Sequence, residues 1–260
     1  MKNITTICSD FDGTILKHGA QKVEESFFSL LKEVMEQGIT FIAASGRQYP
    51  NLRLLMEPVA DQISYIGENG AVVVCNNKII HKSVIEKNLA NQLLQDMQQT
   101  KGADIVAAGE ANSYIRPTNK PLIKHLLEVV KYHVITVDTY ESIEDELVKI
   151  SMFFKEGIPE DIVKEFKEKY QDRLQIVDAG NNWLDFTNLE ASKGHALQIL
   201  AEYQNFKMED VVAFGDSEND ITMLREAGFS YAMNTAKDHV KAAADAECEY
   251  VEEIMKQLFI

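Results

Sequence analysis

Two aspartates, Asp10 and Asp12, stand two residues apart directly after an apolar run at residues 4–8. The run predicts a buried strand, and residues i and i+2 of an extended chain project to the same side. Two carboxylates facing one small volume are costly to bury without a partner, but they suit a hard cation such as Mg²⁺. The pair therefore predicts a Mg²⁺-dependent phosphoryl-transfer centre, in which Asp10 coordinates the metal and attacks phosphorus while Asp12 exchanges a proton with the leaving group.

The segment Ser45-Gly46-Arg47 follows a second apolar run, residues 40–44, and precedes a predicted helix. A hydroxyl and backbone N–H groups at the start of a helix can bind phosphate oxygens. The guanidinium of Arg47 can contact either the phosphate or a nearby carboxylate, and the sequence does not separate these two arrangements. This segment is therefore a candidate phosphate-binding loop.

Later segments carry the remaining candidates. Lys193 precedes Gly194 at the opening of a predicted helix, where a cation would neutralise charge on a transferring phosphoryl group. Asp216 follows the apolar residues 211–214 and can complete the carboxylate set around the metal. Asn69 stands before a predicted hairpin and either caps it or lines the site. Each residue alone is an ordinary turn or cap residue, and their joint occurrence at strand ends predicts a single site.

The order of the elements explains how such residues can meet. In the opening third, predicted strands at residues 4–9, 40–44 and 63–66 alternate with segments whose apolar residues recur at helical spacing. A β-α-β-α-β order gives a parallel sheet with right-handed crossovers, and functional groups gather at the carboxyl ends of its strands. We therefore predict an α/β fold with a doubly wound parallel-sheet, Rossmann-like core.

Residues 84–182 lack the strand–turn–helix motifs of the first section and predict a separate module. Strand and helix patterns repeat there, and the core pattern resumes with a strand at residues 183–186. The predicted division is a core made of residues 1–83 and 183–260, with an inserted α+β cap domain at residues 84–182.

The composition is that of an ordinary soluble protein, with 45% hydrophobic and 26% charged residues. A net charge of -15 argues against a nucleic-acid partner, which would need a basic face. No apolar run approaches the roughly 20 residues that span a bilayer, so we expect neither a signal peptide nor a membrane partner. Three scattered cysteines without a Cys-x-x-Cys pair favour a reducing, cytoplasmic location.

Together, these segments resemble the haloacid-dehalogenase superfamily. The resemblance is closest to its Cof-like branch of cytoplasmic phosphatases, which carry a type-IIB cap between the second and third motifs. The four motifs are similar to Asp-Phe-Asp-Gly-Thr at 10–14, Ala-Ala-Ser-Gly-Arg at 43–47, Ser-Lys-Gly at 192–194 and the segment 215–224, in family order. Glu-Asn-Gly-Ala at 68–71 is similar to a further signature of that branch.

The resemblance implies a role for each matched residue. Asp10 would be the nucleophile that forms an aspartyl-phosphate, and Asp12 would be first the general acid and then the general base. Mg²⁺ would be held by the carboxylates of Asp10 and Asp216 and by the backbone carbonyl of Asp12. Lys193 would contact the phosphoryl group, while Asp220 would support the metal site and orient Lys193. The residues expected to bind the substrate are Ser45, Gly46, Arg47, Asn69 and Asn219.

Three functions are compatible with these residues. The first, which we predict, is a Mg²⁺-dependent phosphatase for a small phosphate ester, such as a sugar phosphate, whose leaving group the inserted domain recognises. The second is a phosphomutase or phosphotransferase, in which Asp10 passes the phosphoryl group to another hydroxyl. The third is a receiver-like signalling module with a long-lived phospho-aspartate. Asp12 counts against the third, because an adjacent general base shortens the lifetime of such a group.

Overall fold

In the computed structural model, the described residues 4–16, 20, 22–180 and 182–260 form fourteen strands and nine α-helices. The strands β1 to β14 are Thr6–Asp10, Thr40–Ala44, Ser64–Gly67, Val72–Cys75, Lys78–Lys82, Ala103–Ala108, Ser113–Ile115, Val134–Thr136, Lys149–Phe154, Leu174–Gly180, Trp183–Asn188, Val211–Gly215, Phe229–Met233 and Ala246–Cys248. The helices α1 to α9 are Glu25–Glu36, Tyr49–Leu55, Lys87–Gln99, Lys120–His125, Glu160–Tyr170, Lys193–Gln204, Ile221–Glu226, Asp238–Lys241 and Val251–Phe259.

The chain divides into two units, one formed by residues up to His81 together with Ser192–Ile260, and the other by Lys82–Ala191. The first unit contains an eight-stranded sheet in the order β14-β13-β12-β1-β2-β3-β4-β5. The six strands from β14 to β3 run parallel to one another. This arrangement confirms the predicted doubly wound, Rossmann-like core.

β1 lies inside this sheet, between β12 and β2, and all five of its residues are buried. The register pairs Asp10 with Ala44 and Ser9 with Phe214. Because these strands are parallel, the loops that follow β2 and β12 emerge beside Asp10 at one edge of the sheet. Apolar side chains of the three strands pack with those of α6 and α7 in a shared core, so this edge rests on a rigid base.

Local sequence signals fix where the helices next to this edge begin. Ser192 caps α6, since its Oγ accepts a hydrogen bond from the N–H of His195 at 3.1 Å. Pro50 lies in the first turn of α2, where a missing N–H costs nothing. Lys193 is therefore the first residue of its helix, and Ser45-Gly46-Arg47 lies in the loop between β2 and α2.

The second unit contains a six-stranded sheet in the order β10-β11-β9-β6-β7-β8. Helices α3 and α5 contribute Leu93, Met97 and Phe166 to a core that also contains Ile150 and Phe186 of the sheet. The two helices are joined by Asp96 of α3, which accepts hydrogen bonds from Lys169 and Tyr170 of α5. None of the helices in the described ranges combines the length and apolar character needed to cross a membrane.

The predicted return to the core at residues 183–186 is wrong. β11 pairs antiparallel with β10 and β9 in the second sheet, and the chain enters the first unit only at Ser192. The apolar pattern of this strand is the same whichever sheet it joins, because a strand's partners are set by pairing between distant segments. The second unit is therefore Lys82–Ala191 in place of the predicted 84–182.

Phe186 tests the membership of β11 in the second unit. Its side chain is fully buried and meets the ring of Phe166 edge-on, with the ring centroids 5.5 Å apart. We expect Phe186→Ala to destabilise the second unit by about 3–5 kcal/mol, because burial is lost and a cavity forms. Hydrogen exchange followed by mass spectrometry should show the loss of amide protection within residues 82–191.

The control is Leu189→Ala, which truncates an exposed side chain just after the same strand and should leave protection unchanged. A loss of protection by Phe186→Ala confined to the first unit would contradict the assignment of β11.

Candidate active site

Lys193 is the centre of a buried ion-pair network. Its side chain is fully buried, and Nζ donates hydrogen bonds to Asp10 Oδ1 and Asp220 Oδ1, each at 2.6 Å. Asp10 is only 4% exposed, and Asp220 is fully buried. Buried charges are tolerated when they are paired and hydrogen-bonded, so these three side chains fix one another's positions.

Asp220 holds the loop after β12 as well as Lys193. Its Oδ2 accepts hydrogen bonds from the N–H groups of Asp216 and Ser217, each at 2.9 Å. Ser217 returns the contact, because its side chain accepts the backbone N–H of Asp220 in a capping box. Asp220 therefore links the loop that carries Asp216 to the ammonium of Lys193, and both of its own oxygens are engaged.

The charges in this cluster shift one another's protonation. Burial raises the pKa of Asp10 well above its usual range, the charge of Asp220 adds to this, and Lys193 opposes it. Burial and the charge of Asp220 raise the pKa of Asp216 to about 6. Burial lowers the pKa of Lys193, but the charges of Asp10 and Asp220 raise it by more. The pKa therefore lies above its usual value, and the amine stays cationic. The cluster therefore gathers three carboxyl groups around a single ammonium.

The acidic cluster fits a divalent cation. One carboxylate oxygen from each of Asp10, Asp216 and Asp220 lies within 4.8 Å of the other two. Asp10 Oδ2 and Asp216 Oδ1 are buried and accept no hydrogen bond from any described residue. Buried carboxylate oxygens of this kind are costly unless a cation or another donor satisfies them. Asp10 and Asp216 are therefore the side chains best suited to hold a metal.

Asp12 lies outside this buried cluster, with half of its side chain exposed. The guanidinium of Arg47 donates two hydrogen bonds to Asp12, from Nε to Oδ2 at 2.7 Å and from Nη2 to Oδ1 at 2.6 Å. Ser45 Oγ also lies 3.4 Å from Asp12 Oδ2 and accepts the backbone N–H of Arg47. Of the two arrangements that the sequence left open for Arg47, the structure shows the carboxylate pair, while a phosphate contact stays a prediction.

Asn69 contacts two other predicted site residues, Asn219 and Ser45. Its side-chain Oδ1 accepts a hydrogen bond from Asn219 Nδ2 at 2.8 Å, and its backbone N–H donates to the carbonyl of Ser45 at 3.1 Å. A Cβ at Gly46 would lie 2.7 Å from Asn69 Oδ1, so this close approach requires glycine. The structure thus brings Asn69 to the site loops, which was one of its two predicted positions.

Sequence reasoning missed two residues that support these contacts. Asn51 Oδ1 accepts a hydrogen bond from Arg47 Nη1 at 3.0 Å, and the spacing of four residues across a helix start was an available signal. Thr222 Oγ1 accepts the backbone N–H of Gly194 at 3.1 Å, which joins the starts of α6 and α7. No local signal identifies the second contact, because the two segments meet only in the folded core.

The sequence matches the family model described as haloacid dehalogenase-like hydrolase over residues 7–256, and the chain belongs to that family. It is 29% identical over 242 residues to 5-amino-6-(5-phospho-D-ribitylamino)uracil phosphatase YbjI of Escherichia coli (strain K12), covering 93% of this chain and 89% of that relative.

Two solved structures share the fold across almost the whole chain. The structure of SMU.1108c from Streptococcus mutans UA159 is 28% identical with a TM-score of 0.86, and 98% of each chain is covered. The HAD subclass IIB sugar phosphatase BT4131 is 26% identical with a TM-score of 0.83, again over 98% of each chain. These findings confirm the resemblance to Cof-like phosphatases. The protein is a phosphatase of this family, so the signalling-module alternative is dropped.

Lys193 gives a direct test of the charge balance. We expect Lys193→Met to lower the free energy of unfolding of the metal-free protein by about 3–5 kcal/mol at neutral pH, because Asp10 and Asp220 lose their buried partner. The loss should shrink as the pH falls, because the carboxyl groups then take up protons and no longer need a counter-charge. Urea unfolding across a range of pH values measures both effects.

Lys207→Met is the matched control, since Lys207 pairs with Glu209 at 3.1 Å on an exposed surface. It should shift the urea midpoint little. A Lys193→Met protein as stable as this control at neutral pH would contradict the network.

Proposed function

We propose that this haloacid dehalogenase-like phosphatase hydrolyses phosphomonoesters through an aspartyl-phosphate on Asp10, with Mg²⁺ as its metal. One observation carries the proposal. Asp10 is a buried carboxylate whose Oδ1 is held by Lys193 and whose Oδ2 has no donor among the described residues. A carboxylate fixed by one oxygen and open at the other is suited to in-line attack and to metal coordination.

The covalent steps use the chain's own residues. An oxygen of Asp10 attacks phosphorus, the bond from phosphorus to the leaving oxygen breaks, and Asp12 donates a proton to that oxygen. Water then attacks phosphorus, Asp12 takes its proton, and the bond to Asp10 breaks to release inorganic phosphate. Lys193 neutralises charge near Asp10 in both steps.

Arg47 can change partner during this sequence. Its guanidinium donates one hydrogen bond to each oxygen of Asp12, and release of either bond would open that oxygen further to the leaving group and to water. A phosphate dianion offers the same guanidinium a stronger acceptor. Binding of the substrate would then free Asp12 and bring Arg47 to the phosphate, together with Ser45 Oγ.

The metal would be held by the carboxylates of Asp10 and Asp216 and by the backbone carbonyl of Asp12. When bound, Mg²⁺ supplies charge neutralisation and orients phosphate oxygens. Two carboxylates and one carbonyl, with the remaining positions left to water and phosphate, form the kind of oxygen donor set that Mg²⁺ prefers. Asp220 supports this set from behind, through its hydrogen bonds to the Asp216 backbone and to Lys193.

The proposed substrate is a phosphorylated sugar or sugar alcohol. The E. coli relative is named for a phosphoribityl compound, and BT4131 is a sugar phosphatase. Both names describe a phosphate on a chain rich in hydroxyl groups. We propose that the second unit, Lys82–Ala191, acts as the cap that selects among such compounds, because the phosphate-binding residues all lie in the first unit.

Asp10→Asn tests the nucleophile. We expect it to reduce Mg²⁺-dependent turnover of p-nitrophenyl phosphate by about 10⁴-fold or more, because the amide cannot form the acyl-phosphate. Mass spectrometry after acid quenching should find phosphate on wild-type Asp10 and none on the variant. Asp61→Asn, which changes an exposed aspartate of the same unit, should retain normal turnover.

Substantial turnover by Asp10→Asn would rule out the aspartyl-phosphate. Release of inorganic phosphate in the absence of any acceptor alcohol supports hydrolysis, whereas turnover that requires an acceptor would identify a phosphotransferase.

Metal binding should compete with protons at Asp216. The pKa of Asp216, raised to about 6, makes the metal-free fold favour the protonated carboxyl, and this contribution to stability is lost as the pH rises through about 6. Mg²⁺ needs the ionised form, so its apparent affinity should rise about fivefold between pH 5 and 6 and level off above about pH 7. Thermal melting at graded Mg²⁺ concentrations measures this, and a pH-independent affinity would contradict it.

A further inference from the structure

The turn Glu68–Gly70 has an unusual backbone. Its three residues have φ values of 51°, 59° and 101°, so all three lie in the left-handed region. Glycine adopts this region freely and asparagine tolerates it, but glutamate does so rarely. All three residues are buried. Strained backbone of this kind persists only where the surrounding structure holds it in place, and it is often found at functional sites.

Two phosphate-site loops hold the turn in place. The backbone N–H of Glu68 donates to the carbonyl of Arg47 at 3.0 Å, and that of Asn69 donates to the carbonyl of Ser45 at 3.1 Å. A Cβ at Gly70 would lie 2.3 Å from the carbonyl of Ser192, directly before Lys193. The turn is therefore wedged between the loop after β2 and the start of α6.

The side chain of Asn69 reaches a third loop. Its Oδ1 accepts a hydrogen bond from Asn219 Nδ2 at 2.8 Å, and the absence of a side chain at Gly46 makes room for it. An amide has a donor end and an acceptor end, so the carbonyl of Asn69 selects the NH₂ end of Asn219. The second N–H of the same Nδ2 can then donate a hydrogen bond to an anion. The carbonyl end of the Asn219 amide could not bind an anion, because it only accepts hydrogen bonds.

We propose that Asn69 is a positioning residue of the phosphate site, which acts by holding the amide of Asn219 with its NH₂ end available to the phosphoryl group. The inference rests on the proposed function, because it assigns Asn219 to phosphate binding. It replaces direct substrate contact as the role of Asn69. The left-handed turn explains why asparagine stands there, since it combines tolerance of this backbone with a short acceptor.

Asn69→Gly isolates the side chain, because glycine keeps the left-handed backbone without strain. We expect it to weaken the binding of inorganic phosphate about tenfold, as loss of a hydrogen bond to a charged group does. The KM for p-nitrophenyl phosphate should rise by a similar factor. Asn76→Gly is the matched control, since Asn76 also has a positive φ, 50°, but lies exposed in a hairpin turn. It should alter neither quantity.

A double-mutant cycle with Asn219→Ala decides between the roles. If Asn69 acts through Asn219, adding Asn69→Gly to Asn219→Ala should cause no further loss of phosphate affinity. The same fold loss in both backgrounds would show that Asn69 contacts the anion independently and would overturn the proposal. If Asn69→Gly causes no loss of phosphate affinity in the wild-type background, the proposal is overturned as well.

Titration calorimetry with inorganic phosphate in the presence of Mg²⁺ reads this coupling without turnover. A failed cycle is therefore distinguishable from a failure of the proposed function, which would appear as turnover retained by Asp10→Asn. Far-UV circular dichroism and the melting temperature, compared with those of Asn76→Gly, show that each variant is folded.

Discussion

The buried ammonium of Lys193 lies between Asp10 and Asp220, and the rest of the site depends on this interaction. Three charges removed from water are tolerated only as a hydrogen-bonded set. β1 must therefore end at Asp10, α6 must begin at Lys193, and the turn after β12 must deliver Asp220. A parallel sheet meets these demands together, because it gathers the carboxyl ends of its strands at one edge.

The same cluster contains more carboxyl groups than its single ammonium can balance, and the proposed chemistry would use this excess. Three carboxyl groups surround one ammonium, and Asp10 and Asp216 each keep an oxygen without a donor among the described residues. A divalent cation would complete that set. Asp12 stands apart, half exposed and paired with Arg47, so the proton transfer proposed for it would take place outside the buried cluster that contains Asp10. Asn69 joins the loops that would bind the phosphate.

The core and its candidate residues could be predicted because their signals are local. The strand at Thr40–Ala44 was predicted with its observed bounds, and the loop residues after it lie at the site. The strand at Trp183–Asn188 was assigned to the wrong sheet, because its pattern does not name its partners. Helix α9 was not predicted from the sequence, although Val251 and Met255 on one of its sides are buried.

By itself, the sequence determined the class of fold and which residue types stand at the strand ends, because hydrophobic periodicity and motif spacing are properties of short segments. Only the tertiary structure decided which oxygen each donor takes. Lys193 meets Asp10 across 183 residues, Arg47 takes Asp12, and Asn69 takes Asn219. These choices follow from the packing of distant elements, and each partner becomes defined only when the sheet edge has formed.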